Sequence, residues 1–191
     1  MKAFGHPAVA VLNGGLPRWI AEHHPTTAEV THAEPVAREE WRLQKEWIVD
    51  TDTIRRIISS PATKPRVVDA RSAERFAGTA PEPRPGLSSG HMANSANVPF
   101  TEVVTDGRLR AAADVVATFQ RAGVDPAALT ADEPLIASCG SGITACILLL
   151  ALHHSGVPLS SLRLYDASWT GFASTPGAPI LQGPASHKPL A

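Results

Sequence analysis

The sequence predicts an α/β domain built on a central parallel sheet flanked by helices, and three observations lead to this prediction. Short apolar segments such as "RVVDA" (66–70) and "PLIAS" (134–138) are too brief for helices and fit buried strands. Segments with helical patterns lie between them, and one of these is ended by Gly123. This alternation of strands and helices is typical of a parallel sheet.

The first 25 residues predict a strand followed by a helix. "VAVL" (9–12) fits a buried strand that is closed by the turn residues 13–15, and "LPRWIAE" (16–22) fits a short helix. The same plan returns in "LRLYDASWTGFA" (162–173), which has an apolar strand, an acidic or amide residue, two small residues and a helix with aromatic side chains. We interpret residues 1–25 as the last strand and helix of an earlier tandem domain.

The following stretch is polar and predicts a linker over residues 26–50. Trp41 and Trp47 are expected to anchor it to the surface, because tryptophan buries a large area while keeping one polar edge. The globular pattern resumes after it, so we place the main domain at 51–183 and a tail at 184–191.

Within the main domain, "TDTIRRIISS" (51–60) fits a helix with Thr51 or Asp52 as its N-cap. Residues 77–100 form a long loop rich in Pro, Gly and Ser, and such loops in compact domains tend to be functional or disordered. The other predicted elements are a strand at 66–70, a helix at 109–123, a strand at 134–138, a helix at 142–155, a strand at 162–166 and a short helix at 168–173.

Composition narrows the class of protein. The chain carries 17 Lys and Arg against 18 Asp and Glu, so its net charge of −1 gives no reason to expect nucleic acid or a membrane surface as a partner. The longest apolar run, "ACILLLAL" (145–152), is far short of the ~20 residues of a membrane helix. The apolar stretch near the start is too short for a signal peptide. Two cysteines form no disulfide framework and favour a reducing compartment.

Both cysteines lie in one segment, "SCGSGITACILLLAL" (138–152). The predicted strand delivers Cys139 to its carboxyl end, where open α/β sheets place their ligands. The small residues 140–142 let the backbone curl tightly before a helix that is expected to begin near Gly142 or Ile143. Unpaired amides and the helix dipole stabilise an anion at that point. We therefore predict a lowered pKa for the Cys139 thiol.

The two cysteines are predicted to have different roles. Cys139 is interpreted as a nucleophile, and the alternative is a buried thiol at a strand end. Ser141 is close enough to hydrogen-bond that sulfur or a bound substrate, and Thr144 is placed to help cap the helix. Cys146 lies in the apolar helix and is expected to pack as a small hydrophobic residue.

The amino-acid sequence of this loop argues against two other functions, phosphate binding by a Walker loop and cysteine-dependent phosphatase activity. A Walker loop needs Gly-Lys followed by Ser or Thr, and no lysine occurs here. Cysteine-dependent phosphatases carry an arginine six residues after the cysteine to hold the phosphoryl oxygens. This chain has Ala145 at that position, so a phosphatase is a distant alternative.

Three segments in the same chain resemble a known family: "RFAGTAPEPR" (75–84), "GHMANSANVPF" (90–100) and "CGSGITAC" (139–146). In this order they are similar to the rhodanese superfamily, and within it to the catalytic half of the 3-mercaptopyruvate sulfurtransferases. The resemblance covers about 49–173. It implies a rhodanese-like domain with a persulfide-forming cysteine, and it implies that residues 1–25 end a first rhodanese domain.

The resemblance also implies the roles of individual residues. In the family, two arginines hold the carboxylate and keto group of the donor, which suits the planar fork of arginine. A pair of surface arginines is the alternative. Thiosulfate-using members carry basic residues after the cysteine, so the neutral loop here favours 3-mercaptopyruvate. The implied substrate-binding residues are Arg75, Arg84, Gly140, Gly142, Ile143 and Thr144, and the implied catalytic residues are Cys139 and Ser141.

The implied reaction moves a sulfur atom from 3-mercaptopyruvate to Cys139, releases pyruvate, and passes the sulfur to thioredoxin, a small thiol or cyanide. Ser141 is the implied proton relay, and no metal or organic cofactor is expected. Asp69 and Arg71 are expected to order the end of the sheet, and His91 is expected to be a structural hydrogen-bonding residue. Cytoplasm or mitochondrion suits the family.

The sequence also departs from the family pattern. In the family, the body of the first domain brings an aspartate and a histidine towards the reactive cysteine, and this sequence contains no such body. The turn at 93–95 lacks the usual glycine. Two classes of function therefore stay open: an active sulfurtransferase, and a non-catalytic rhodanese-like module that carries a persulfide or binds a partner.

Overall fold

A four-stranded parallel sheet forms the centre of the protein. The computed structural model describes residues 1–32, 42–60 and 66–185. In chain order, the strands are β1 (Val67–Asp69), β2 (His91–Met92), β3 (Ser95–Asn97), β4 (Val104–Thr105), β5 (Arg108–Leu109), β6 (Leu135–Ser138), β7 (Leu162–Leu164) and β8 (Ile180–Leu181). The α-helices are α1 (Gly15–Ala21), α2 (Thr51–Ser59), α3 (Ala73–Ala77), α4 (Ala112–Arg121), α5 (Ala145–His154) and α6 (Ser168–Ala173). The sheet has the order β3–β1–β6–β7 and all its pairs are parallel, which confirms the predicted fold class.

Both faces of the sheet are covered by helices. Successive residues of a strand face opposite sides, so Val68 and Ala137 lie in one apolar cluster while Val67 and Ile136 lie in the other. Helices α4 and α5 pack on the first face, and α2 and α6 pack on the second. Burial on both faces explains why the central strands are almost purely apolar.

The predicted strand at 9–12 is wrong. These residues form no strand, and Val11 and Leu12 are 65% and 57% exposed. The predicted helix is present as α1, but it begins at Gly15, one residue earlier than predicted. An apolar segment becomes a strand only where a partner strand is present to accept its backbone hydrogen bonds.

The two similar segments, 9–20 and 162–173, can be compared by their backbone conformation at the turn and the helix start. The two segments align so that Gly15 stands opposite Ser168 and Leu16 opposite Trp169. Gly15 and Ser168 both have a positive φ, of 58° and 50°, and each begins a helix. Their surroundings differ, because Trp169 is fully buried whereas Leu16 is 60% exposed.

The first helix of the main domain is capped one residue earlier than predicted. Its N-cap is Asp50, whose carboxylate accepts a hydrogen bond from the Thr53 amide at 2.8 Å, and neither Thr51 nor Asp52 has this role. A carboxylate here also lies close to the positive end of the helix dipole.

The long loop predicted at 77–100 contains two short strands. β2 pairs antiparallel with β8, and β3 extends the main sheet beside β1. The remaining pair, β4 and β5, forms a small antiparallel hairpin.

The end of the linker contacts the sheet. Ile48 forms a parallel bridge with Leu164, and Trp47 is partly buried, as expected of an anchor. The predicted contact of Trp41 lies outside the described residues, and so does most of the tail, 186–191. In the described ranges, no helix is long and apolar enough to cross a membrane.

Candidate active site

Cys139 lies directly after β6, at the carboxyl edge of the parallel sheet. Its side chain is almost fully buried, with the residue 2% exposed. Its amide donates a hydrogen bond to Oγ of Ser168 at 3.1 Å. The next helix, α5, begins at Ala145 and not at Gly142 or Ile143 as predicted, so the intervening loop is longer than expected.

This loop surrounds the sulfur atom with hydrogen-bond donors. The Gly142 amide donates to the Cys139 Sγ at 3.1 Å. Burial raises the pKa of the Cys139 thiol, but hydrogen bonds from the Thr144 hydroxyl and from the amides of Ala145, Ser141 and Gly142 outweigh it and hold the pKa below the ordinary value. The side chain of Thr144 does not cap α5, which corrects that prediction. The loop therefore stabilises a thiolate.

Gly142 is required by the shape of the loop. Its φ is 86°, in the left-handed region, and a Cβ atom on it would lie 2.8 Å from the carbonyl oxygen of Asp166. A larger residue would force a shift of either this loop or the backbone at Asp166.

Arg75 is held beside the cysteine loop by a carboxylate. A Cβ atom on Gly140 would lie 3.1 Å from Nη2 of Arg75, so the guanidinium lies against the loop backbone. The Nε and Nη2 atoms of Arg75 donate to the two carboxylate oxygens of Glu82 at 3.2 and 2.5 Å. The Glu82 side chain is 3% exposed. Sequence analysis did not single out Glu82, although it stands between the two arginines of "RFAGTAPEPR".

Arg71 joins Glu82 to the end of β1. Its fully buried guanidinium donates to Glu82 at 2.7 Å, to Asp69 at 2.7 Å and to the Gly90 carbonyl at 2.6 Å. Its carbon Cζ lies 4.1 Å from the centre of the Trp169 ring. These contacts connect the sheet end, the 77–100 loop and α6, which agrees with the ordering role expected of Asp69 and Arg71.

The other predicted site residues are more exposed. Ser141 and Ile143 are exposed, with Ile143 at 75%. Arg84 is exposed and makes no hydrogen bond or ion pair with any residue in the described ranges.

Two further expectations concern Cys146 and His91. Cys146 is exposed, with its thiol donating to the Gly142 carbonyl at 3.4 Å, so its predicted packing as a hydrophobic residue is wrong. Partial desolvation raises the pKa of the Cys146 thiol, which distinguishes it from Cys139.

His91 is buried, stacks on Phe76 with ring centres 4.2 Å apart, and hydrogen-bonds the Phe76 carbonyl at 3.0 Å. These contacts agree with a structural role for His91.

Comparisons with known proteins show which proteins this chain is similar to. No protein-family model matches the chain. It is 37% identical over 169 residues to 3-mercaptopyruvate sulfurtransferase of Mus musculus, covering 88% of the chain and 54% of that relative. It is 34% identical over 198 residues to thiosulfate/3-mercaptopyruvate sulfurtransferase 1, mitochondrial, of Arabidopsis thaliana, covering 94% and 50%. The crystal structure of SseA from Escherichia coli, described with the "Rhodanese" fold of 3-mercaptopyruvate sulfotransferases, superposes with a TM-score of 0.68 at 32% identity and covers 88% and 59%.

The chain has the rhodanese fold, which confirms the fold that the resemblance implied. Its curated relatives are 3-mercaptopyruvate and thiosulfate sulfurtransferases, and they include a mitochondrial form. The chain spans about half the length of these relatives.

Replacing Thr144 with valine should raise the pKa of the Cys139 thiol. The substitution removes the side-chain hydrogen bond to the thiolate and keeps a side chain of similar size. The rate of alkylation by iodoacetamide follows the thiolate, so its rise with pH should move to higher pH in Thr144→Val. The measurement is made in a Cys146→Ser background, so that Cys139 alone reacts. An unchanged pH profile would show that the Thr144 hydroxyl does not stabilise the thiolate.

Proposed function

We propose that this chain is a sulfurtransferase that takes sulfur from 3-mercaptopyruvate, and less effectively from thiosulfate, through a persulfide on Cys139. The observation that carries this proposal is the thiol held among the donors of the 140–145 loop with a lowered pKa. Such an environment suits a nucleophile that reacts as an anion.

The names of the curated relatives include both 3-mercaptopyruvate and thiosulfate. The proposed preference between these donors therefore rests on the loop after Cys139. Gly140 and Ser141 are neutral, and the resemblance associates a neutral loop with 3-mercaptopyruvate. Arg75 lies against Gly140, and we propose that it and Arg84 bind the carboxylate and keto group of the donor. The backbone of Gly142, Ile143 and Thr144 completes the proposed binding loop.

The proposed reaction begins when the Cys139 thiolate attacks the sulfur atom of the donor. A sulfur–sulfur bond forms as the carbon–sulfur bond breaks, and the electron pair leaves with the enolate of pyruvate, which takes up a proton. Loop amides stabilise the anionic sulfur, and Ser141 is the proposed proton relay. An acceptor then attacks the outer sulfur and restores the thiolate. We propose thioredoxin, a small thiol or cyanide as the acceptor, and cytoplasm or mitochondrion as the compartment.

We propose that residues 1–25 are the end of another rhodanese domain, of which helix α1 is the last helix, that 26–50 form a linker, and that 51–183 form the catalytic domain. The matched positive φ values of Gly15 and Ser168 support this proposal, and so does the exposure of Leu16 where its counterpart Trp169 is buried. The same exposed surface favours a second candidate function, a non-catalytic module that carries a persulfide or binds a partner.

The test is pyruvate release from 3-mercaptopyruvate by the purified chain with a reducing thiol, beside thiocyanate formation from thiosulfate and cyanide. Release with a preference for 3-mercaptopyruvate supports the proposed function. No turnover of either donor by a folded sample would overturn it and favour the carrier. Sizing chromatography of the same sample shows whether the exposed N-terminal surface causes self-association.

A further inference from the structure

We propose that Glu82 is a specificity-determining residue: by neutralising and holding Arg75, its carboxylate favours a singly charged sulfur donor over a doubly charged one. This inference rests on the proposed function, in which Arg75 contacts the donor.

The first step of the argument is the placement of Glu82. Its carboxylate binds Arg75 through both oxygens and also binds Arg71, and 3% of its side chain is exposed. A buried carboxylate in a bidentate contact holds the guanidinium in one orientation. The Arg75 nitrogen bound by Glu82 is the one that lies against Gly140, so the carboxylate determines where the positive charge stands relative to the Cys139 loop.

The second step is the charge of the cluster. Asp69 pairs with Arg71, and Glu82 pairs with Arg71 and Arg75. Two arginines therefore meet two carboxylates, and the cluster has no net charge. Arg84 is exposed and has no ion-pair partner among the described residues, so it does not alter this balance within the cluster.

The third step compares the donors. 3-Mercaptopyruvate carries one negative charge and thiosulfate carries two. The energy of a charge in a field is proportional to that charge, so removing the Glu82 charge helps a doubly charged donor twice as much as a singly charged one. A merely structural Glu82 would affect both donors alike.

The experiment measures kcat/KM for both donors in the wild type and in Glu82→Gln at low ionic strength. Glutamine keeps an oxygen that can accept from Arg71 but removes the charge. We expect the ratio of thiosulfate to 3-mercaptopyruvate efficiency to rise by about tenfold, and the rise to shrink with added salt. Glu74→Gln is the matched control, since Glu74 is exposed on the same helix as Arg75 and its loss changes the net charge equally. Its ratio should stay within about twofold of the wild type.

A second pair of variants protects the test against a folding defect in Glu82→Gln. Arg75→Gln leaves Glu82 paired with Arg71, and the double variant Arg75→Gln/Glu82→Gln leaves Arg71 paired with Asp69. Both variants lack the Arg75 guanidinium and therefore any contact between it and the donor. Comparing their donor ratios measures the effect of the Glu82 charge alone. The ratio should again rise by about tenfold from the single to the double variant.

An unchanged ratio in both comparisons would overturn the inference, and so would an equal rise in Glu74→Gln. Loss of activity towards both donors with the ratio preserved would show that Glu82 only supports the fold. These outcomes are distinct from failure of the proposed function, in which the wild type would turn over neither donor.

Discussion

Replacing Cys139 with serine is expected to abolish pyruvate release from 3-mercaptopyruvate, with a fall of more than about a thousandfold in kcat. A serine hydroxyl is not ionised at neutral pH and does not form a persulfide. The hydrogen bond from the residue 139 amide to Ser168 does not involve the side chain, so the variant should keep its fold. The measurement is pyruvate release, together with the melting temperature of both proteins.

Cys146→Ser is the matched control for this experiment. Cys146 is the second cysteine of the same segment, but it is exposed and the pKa of its thiol is raised. Its loss should leave turnover within about twofold of the wild type. After incubation with the donor and no acceptor, mass spectrometry should find one added sulfur atom on the Cys139 peptide in Cys146→Ser and none in Cys139→Ser. Continued pyruvate release by Cys139→Ser would contradict the persulfide mechanism.

Local sequence patterns predicted the elements that are specified by local physics. The strands β1 and β6 are short apolar segments buried on both faces, and α4 and α5 have continuous helical patterns, so propensity and burial agree. The position of Cys139 followed from the same logic, since it comes directly after a buried strand and before small residues and a helix, although the loop is longer than predicted. The hydrogen bond from the Gly142 amide to its sulfur is the outcome of that arrangement.

The errors arose where a distant partner decides the structure. "VAVL" has the composition of a buried strand, but within the described ranges no strand pairs with it, and residues 10–12 are exposed. β3, with the sequence "SAN", has no apolar signal and exists because it pairs with β1. Cys146 lies on a helix that is apolar all round, and such a helix gives no sequence indication of which side faces solvent.

The burial and role of Glu82 also could not be predicted from its neighbours in the sequence. In the sequence it is one acidic residue among prolines, which is typical of a solvated loop. The structure buries it because the loop folds back on Arg71 at the end of β1, and this buried charge requires partners. A carboxylate placed between the two arginines of "RFAGTAPEPR" is the signal that could have indicated its role.

Replacing Arg71 with methionine is expected to lower the free energy of unfolding by about 3–5 kcal/mol. The variant keeps the length and apolar stem of the side chain but removes a guanidinium with no exposed surface. The Asp69 carboxylate, which is also fully buried, would retain the amide of residue 71 but lose the opposing charge. A buried carboxylate without a counter-charge is strongly destabilising. Urea unfolding followed by tryptophan fluorescence measures the effect.

Arg110→Met is the control, because Arg110 also pairs with a carboxylate, Asp114, but at 3.5 Å and with side chains 39% and 54% exposed. Exposed pairs of this kind contribute about 0–1 kcal/mol, so Arg110→Met should be nearly neutral. Adding Asp69→Asn to Arg71→Met should restore part of the lost stability, because it removes the uncompensated buried charge. Equal effects of Arg71→Met and Arg110→Met would show that the buried network does not stabilise the fold. A further loss on adding Asp69→Asn would show that the orphaned charge is not the source of the destabilisation.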